Sequence, residues 1–412
     1  MSSINIRGRQ YTMKKSYVTG THRTRSPRET LIDYMPLMPR LGITRLANVT
    51  GLDHIGLPVY TAIRPNSRSL ATSQGKGFDA DSAKVSALME SIETWHAEHI
   101  EHPLRRDSCR SLAKSVAVAD PTQLPRYEGS SLRLDHPYLW IEGYDLIGQE
   151  PVWVPYEAVT LNCASIGDEE QTFCVSTNGL ASGNHLLEAV VHGLCEVIER
   201  DAESLWRLTD DLRQLDLTTV DDAACAQTIE LLARAGVSVA AWNLTTDTGV
   251  PVYGCAILES PDQPSGRELG VYYGFGCHLS PAVALMRAIS EAVQTRVTYI
   301  SGSRDDFYRE DYQQTTDEDL LRGIWEEISN PPVTESFAAQ ESLATESFEG
   351  DINVLLSALG VIGIDRVVVV DLTQPEIGIP VVKVVVPGLE GPSGANCQPG
   401  SRAARLIGEN QL

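Results

Sequence analysis

Three times along this chain a glycine-bearing turn leads into a run with helical spacing that carries acidic or amide residues on one stripe. This recurrence limits the fold more than any other feature. Gly75 and Gly77 precede Ala80 to Ile100, where Val85, Leu88, Ile92 and Trp95 recur at helical spacing. Thr177-Asn178-Gly179-Leu180-Ala181-Ser182-Gly183-Asn184-His185 precedes a second helix over Leu186 to Leu205. The strand end Tyr272-Tyr273-Gly274-Phe275-Gly276-Cys277 leads to a third, Pro281 to Ile300, with Pro281 in the first turn, where its missing N–H is harmless. Each helical residue turns the chain by about 100°, so positions three, four, seven or eleven apart share a face. Ser86, Glu90 and Glu93 therefore align on the first helix. Glu188, His192, Glu196 and Glu199 align on the second with Arg200 beside them, and Arg287, Glu291 and Gln294 on the third with Arg296 nearby.

One such stripe is ordinarily a solvated face. Three of them, each after a glycine turn, point to convergence. Converging glutamates repel by several kcal/mol at an effective dielectric of about 20, so a cluster needs cations to neutralise it. Magnesium suits hard carboxylate oxygens, and no Cys/His cage competes for a softer metal. Carboxylates holding magnesium, with arginines nearby, can bind a nucleoside triphosphate and stabilise a transferring phosphoryl group. No Walker-type loop occurs. Gly75-Lys76-Gly77 alone is a weak signal, but Lys76 just before an acidic helix could reach a phosphate or a developing oxyanion.

The chain's 412 residues carry a net charge of −22, which argues against non-specific binding to nucleic acid or to an anionic membrane. The charge is uneven. Basic residues outnumber acidic ones nine to two from Met1 to Arg45, whereas Arg304 to Asp351 holds fourteen acidic residues and three basic. Residues 1–58 read as a basic N-terminal arm, in which Ser26-Pro27-Arg28-Glu29 starts a short helix through Tyr34. This arm could bind an acidic leader peptide or pack on the acidic body. Residues 59–412 read as the catalytic domain, with 304–351, which includes Asn330-Pro331-Pro332, an acidic surface insertion or loop. No apolar run long enough for a membrane span or secretory signal occurs, so a cytoplasmic location is the expectation. Eight cysteines without a CxxC pair suggest reduced, mostly buried thiols.

Two stretches resemble each other. Leu231 to Gly236 leads through a strand to Asn243-Leu244-Thr245 and Gly249-Val250-Pro251-Val252, and Leu355 to Gly360 leads through Val367 to Val370 to Asp371-Leu372-Thr373 and Gly378-Ile379-Pro380-Val381. Both read helix, strand, polar turn, strand, as two copies of one α/β unit would.

Thr72-Ser73-Gln74-Gly75-Lys76-Gly77 with Ser86 to Glu93 resembles the first ATP motif of the YcaO family. Ser176 to Asn184 with Glu188 and Leu194 to Arg200 resembles the second, and Gly276 to Pro281 with Arg287 to Arg296 the third. The resemblance spans about residues 60 to 400. It implies an α/β (α+β) fold of the YcaO ATP-binding type, with mixed sheets, repeated helix–strand units and acidic helices lining the nucleotide site. It further implies ATP and Mg2+ as cofactors. Glu90, Glu93, Glu188, Glu196 and Glu199 are implied as magnesium ligands, Ser73, Lys76, Ser86, Asn184, Arg200 and Arg287 as nucleotide contacts, and Lys76, Glu291 and Gln294 as catalytic residues. Thr94 departs from the family's pattern, since many members carry arginine there.

The implied chemistry is attack of a nucleophile on a peptide carbonyl, phosphorylation of the oxyanion by ATP, and loss of phosphate. A side chain of the substrate would give an azoline ring; external sulfide would give a thioamide. Gly51-Leu52-Asp53-His54-Ile55-Gly56-Leu57-Pro58-Val59 with Arg64-Pro65-Asn66-Ser67-Arg68-Ser69 is similar to members that work with a TfuA-type partner, and the chain lacks the alternating-proline tail of many azoline-forming members. The expected partners are thus a peptide or protein substrate, a TfuA-like protein and sulfide or another sulfur donor, with self-association left open. The alternatives are an azoline-forming cyclodehydratase and a non-catalytic nucleotide-binding adaptor.

Among weaker signals, His96, His99 and His102 read as a solvated helix end before Pro103. His192 is expected to bond a neighbouring glutamate, Cys195 to lie in the core, and Cys277 to border the pocket.

Overall fold

Short strands punctuated by glycine and proline dominate the first half of the chain, and the three acidic runs become its longest helices. The computed structural model describes residues 3–162, 171–209, 213–260, 270–304, 306, 309, 312, 318–329, 334–392 and 396–409. Strands β1 (Ile4–Ile6) and β2 (Arg9–Tyr11) form a hairpin, and helix α1 (Pro27–Tyr34) follows. Ser26 and Glu29 cap α1 reciprocally, as the sequence suggests. Next come β3 (Arg45–Asn48), β4 (Val59–Ile63), β5 (Thr72–Lys76), α2 (Ala80–Glu98), β6 (Leu104–Ser108), α3 (Cys109–Leu112), β7 (Pro137–Asp145), β8 (Glu150–Pro155), β9 (Leu180–Ser182) and α4 (Leu186–Trp206). The rest is β10 (Gln214–Asp216), α5 (Ala223–Arg234), β11 (Val237–Asn243), β12 (Val252–Glu259), β13 (Tyr272–Cys277), α6 (Pro281–Ser301), α7 (Glu318–Ser329), β14 (Thr334–Ser336), α8 (Phe348–Val361), β15 (Val368–Asp371), β16 (Val381–Val385) and α9 (Ser401–Glu409).

Three sheets of order β3-β4-β5, β6-β7-β15-β16-β9 and β13-β12-β11-β10-β14 carry this chain, with β8 added to β7. Within them one unit recurs: three antiparallel strands with a long helix across the last two. The units are β3-β4-β5 with α2, β11-β12-β13 with α6, and β15-β16-β9 with α4. The third draws its helix and its strands from distant stretches of sequence. The similarity between Leu231–Val252 and Leu355–Val381 lies at the heart of two of these units. In one turn Asn243 accepts from the Thr245 N–H at 3.0 Å and the Thr245 hydroxyl from the Val252 N–H at 3.2 Å. In the other Asp371 and Thr373 make the same pair of bonds at 3.0 and 3.2 Å.

The glycines serve this packing. Gly75 and Lys76 belong to strand β5, not to a loop. A Cβ on Gly75 would overlap the backbone at Ala83 and Ala87, and one on Gly276 would overlap it at Ala284 and Ala288. Each glycine lets a helix lie directly against its strand. In the third unit the roles are exchanged: Gly193, on the helix, lies against Val384 of β16. Leu88 and Ile92 on α2, Leu187 and Leu194 on α4, and Leu285 and Ile289 on α6 are fully buried beneath. Each such side chain contributes about 1.5–3 kcal/mol.

Two expectations are corrected. Cys174 and Cys397 form a disulfide across a sequence separation of 223, which the scattered spacing concealed; Cys163 lies outside the described residues. His96 is fully buried, its Nδ1 2.7 Å from the Ile92 carbonyl, because this side of α2 faces the core; only the outer histidines border solvent. Within the basic arm, β3 pairs with β4, and the Lys15 side chain is buried 2.6 Å from Asp351. Within 304–351, β14 pairs in parallel with β10, and Ile328, Phe337, Phe348 and Glu349 are buried, while Asn330 to Val333 lie outside the described residues.

Candidate active site

Where α2, α4 and α6 converge they enclose a cavity of about 430 Å³. Gly75, Ala181 and Gly276 occupy matching registers in the three units, opposite Tyr60, Val382 and Tyr253. Counting from them, Ser86, His192 and Arg287 stand eleven residues on, Glu90, Glu196 and Glu291 fifteen, and Glu93, Glu199 and Gln294 eighteen. All nine line the cavity.

The third set ties the units into a ring. Glu93 accepts from the backbone and hydroxyl of Ser182 at 2.8 and 2.6 Å, Glu199 accepts from the Cys277 N–H at 2.7 Å, and Gln294 donates to the Gln74 carbonyl at 3.3 Å. Each helix thus bonds to the β-strand of the next unit, and the last returns to the first.

Charge divides the second set. Burial, only partly offset by Lys76 and Arg304, pushes Glu90 up to about 7. Burial likewise raises Glu93 to about 8 despite its Ser182 hydrogen bonds, with Glu196 and Glu90 adding to it. Glu196 rises to about 7 through burial, against the pull of Arg200. Glu291 goes the other way. Burial opposes its ionisation, but Lys76, 2.5 Å away, and then Arg200 hold it down to about 2.

Arginines fix the remaining acids. Arg200 donates to Glu199 and to Glu203, each at 2.6 Å, and lies 5.9 Å above the Phe275 ring. Arg287 is 3.6 Å from Glu199 and 3.4 Å from His192. His192 therefore meets an arginine rather than the expected glutamate, and burial followed by Arg287 lowers its pKa well below the ordinary value. Asn184 accepts from the Thr30 hydroxyl at 3.0 Å and approaches Glu188 at 3.4 Å.

Of the residues singled out in the sequence, Lys76, Ser86, Glu90, Glu93, Asn184, Glu188, Glu196, Glu199, Arg200, Arg287, Glu291 and Gln294 border the cavity. Ser73 does not: it is buried in β5 opposite Ala62. Cys195 is in the core as expected. The Cys277 thiol does not line the main cavity but a separate one of about 20 Å³ beside Cys195.

Sequence reading missed the cations that distant segments bring. Arg23 and Arg25 line the cavity from the arm. Arg23 lies 3.7 Å from Glu188, and Thr24 donates to the same carboxylate through its N–H at 2.9 Å and its hydroxyl at 2.8 Å. Arg304 lines it as well. Lys383, buried on β16 outside the cavity lining, donates to the Ser176 carbonyl at 2.5 Å; burial lowers its pKa to about 8 although Glu196 acts to raise it. The excess of basic residues before Arg45 was the one available signal.

The lining suits magnesium bound with phosphates. Among the described residues no three acidic, histidine or cysteine side chains come together closely enough to cage a metal alone. Magnesium usually takes only one or two carboxylates and completes its shell with phosphate and water. Three carboxylates that ionise reluctantly in the bare protein, beside a buried Gln294 Oε1 and Arg287 Nε that no protein atom satisfies, fit such a bridged cation and its nucleotide.

Comparison with known proteins agrees. Residues 74–390 match the family described as YcaO cyclodehydratase, ATP- and Mg2+-binding. A protein in the tfuA 3′ region of Rhizobium leguminosarum bv. trifolii is 34% identical over 390 residues, 93% of this chain and 92% of its own. A Methanothermobacter thermautotrophicus protein is 35% identical, over 88% of this chain and 94% of its own. The structure of YcaO from Methanopyrus kandleri bound with AMPPCP and Mg2+ superposes with a TM-score of 0.73 at 26% identity, over 92% of this chain and 94% of that one. A heterocyclase in complex with substrate and cofactor shares the fold, with a TM-score of 0.77 at 21% identity, over 94% of this chain and 54% of that one. With its three glutamate-bearing helices around one cavity and a family match over residues 74–390, this chain belongs to the ATP- and Mg2+-binding YcaO family.

Proposed function

We propose that the cavity binds MgATP and that the protein uses it to activate a backbone amide of a peptide, with sulfide as nucleophile and a thioamide as product, during maturation of a ribosomally made peptide or protein. The observation that carries the thioamide reading is the relative in the tfuA 3′ region, matched over 93% of this chain. A TfuA-like protein is the partner this reading requires, since the described free cysteines are mostly buried and offer no thiol relay.

ATP supplies the phosphoryl group. Glu90, Glu93, Glu188, Glu196 and Glu199 are the residues that would hold magnesium, and Ser86, Asn184, Arg200 and Arg287 those that would orient the nucleotide. Lys76 and Gln294 are the residues that would stabilise charge gained by the amide oxygen, and Glu291 holds Lys76 at 2.5 Å. Ser73, away from the cavity, drops out of this assignment.

The test incubates peptide, MgATP and sulfide with and without the TfuA-like protein and weighs the product. Replacing oxygen with sulfur adds about 16 mass units and ring formation removes about 18, so one spectrum separates the two reactions. Faster gain of about 16 units with the partner is the expected result. A dehydrated product would place the protein with azoline-forming enzymes, and absence of phosphate release under all conditions would make it an adaptor.

A further inference from the structure

Helix α6 ends at Gly302, whose left-handed φ of 55° turns the chain back toward the cavity. The next residue is fastened to β5, the strand that carries Lys76. Thr72 donates to the Ser303 carbonyl at 3.2 Å, Gln74 to the Ser303 hydroxyl at 3.4 Å, and Ser301 lies 2.9 Å from the same hydroxyl. Arg304 follows, and its side chain lines the cavity, where its charge and that of Glu90 act on each other. It forks onto Asp306, donating through Nε at 2.8 Å and through a second nitrogen as well.

This wall otherwise lacks an arginine from α2, since Thr94 stands there and accepts from Arg64 at 3.2 Å. The other cavity cations near Glu90 are engaged by buried or half-buried acids: Lys76 by Glu291, Arg200 and Arg287 by Glu199. Asp306, onto which Arg304 forks, is only two residues away and its side chain is 42% exposed. Such an exposed local pair contributes little to stability. A phosphate offers the guanidinium fork the same planar spacing of oxygens with more charge.

We propose that Arg304 is a nucleotide-binding residue of this site, its guanidinium leaving Asp306 for the polyphosphate when MgATP binds. The inference rests on the reading of the cavity as the ATP site and adds to it a contact from the segment that follows α6. Asp306 then acts as a parking place that competes with the nucleotide.

Calorimetric titration of the full chain with the magnesium complex of a non-hydrolysable ATP analogue tests this. Arg304→Ala should weaken binding about tenfold or more, as loss of a charge-assisted, bidentate contact does. Asp306→Ala should leave binding intact or tighten it a few-fold, since the competitor is gone. Wild-type affinity in Arg304→Ala, alongside lost binding in Glu196→Gln, would overturn the role of Arg304 while leaving the cavity assignment in place. Failure of the unmodified chain to bind the analogue would overturn both.

Discussion

Glu90 on α2 and Glu291 on α6 stand at the same place in two copies of one structural unit, yet one is pushed up to about 7 and the other held down to about 2. Their own helices do not cause the difference. Each lies fifteen residues beyond a glycine that seats its helix on a strand, and each faces the same cavity. What differs is the company. Lys76 ends the strand of the first unit but points across to the third helix, 2.5 Å from Glu291, while Glu90 feels it only through space. A repeated scaffold thus yields one acid that a lysine helps to ionise and several whose ionisation burial opposes. The lesson is that repetition sets position, whereas function follows from the neighbour that each copy acquires.

The hardest test of this contrast is activity. Glu196→Gln or Glu199→Gln should lower ATP turnover by about 100-fold or more, because an acid that would bridge magnesium to phosphate is lost, while circular dichroism shows an intact fold. Turnover at the unmodified rate in either variant would mean that these acids do not hold the metal.

Stability of the metal-free protein should then separate Glu90 from Glu291. Glu291→Gln leaves Lys76 half-buried without its partner and should cost about 1–3 kcal/mol in denaturant titration. Glu90→Gln removes a charge that burial already disfavours and should be neutral to slightly stabilising. Equal losses in both variants would erase the distinction.

The same contrast predicts a pH dependence. Glu90, Glu93 and Glu196 bind protons more tightly folded than unfolded, their values being raised from 4.5 to about 7, 8 and 7. The stabilisation they give is complete below their unfolded value and is lost as pH rises through about 7 to 8. Glu291, lowered to about 2, stabilises the fold above its unfolded value and loses that contribution only as the medium becomes strongly acidic. The melting temperature of the metal-free protein should therefore fall by a few degrees between pH 6 and 8.5, and MgATP should suppress the fall. A flat profile without ligand would show that the three acids are solvated in solution.

The smallest effect is expected outside the ring of units. His99 stacks on Trp95 at 4.5 Å near the end of α2, away from the cavity, so His99→Ala should change ATP turnover less than about twofold and stability by about 0.5 kcal/mol or less.

The sequence alone determined the three long helices, the acidic stripe on each and the family. These are local properties: a 100° turn per residue decides which side chains share a face, and a glycine beside a helix reports a close approach whatever the rest of the chain does. It also exposed the kinship of Leu231–Val252 and Leu355–Val381, because both copies keep the same Asx-type turn. Tertiary structure alone decided that residues 180–206 and 368–385 complete one unit, that Cys174 meets Cys397, that Arg23 and Arg304 enter the cavity, and that Lys76 serves Glu291. These depend on groups far apart in the chain. The ionisation of a buried acid is set by its desolvation and by charges a few ångströms away in space, and sequence separation does not measure that distance.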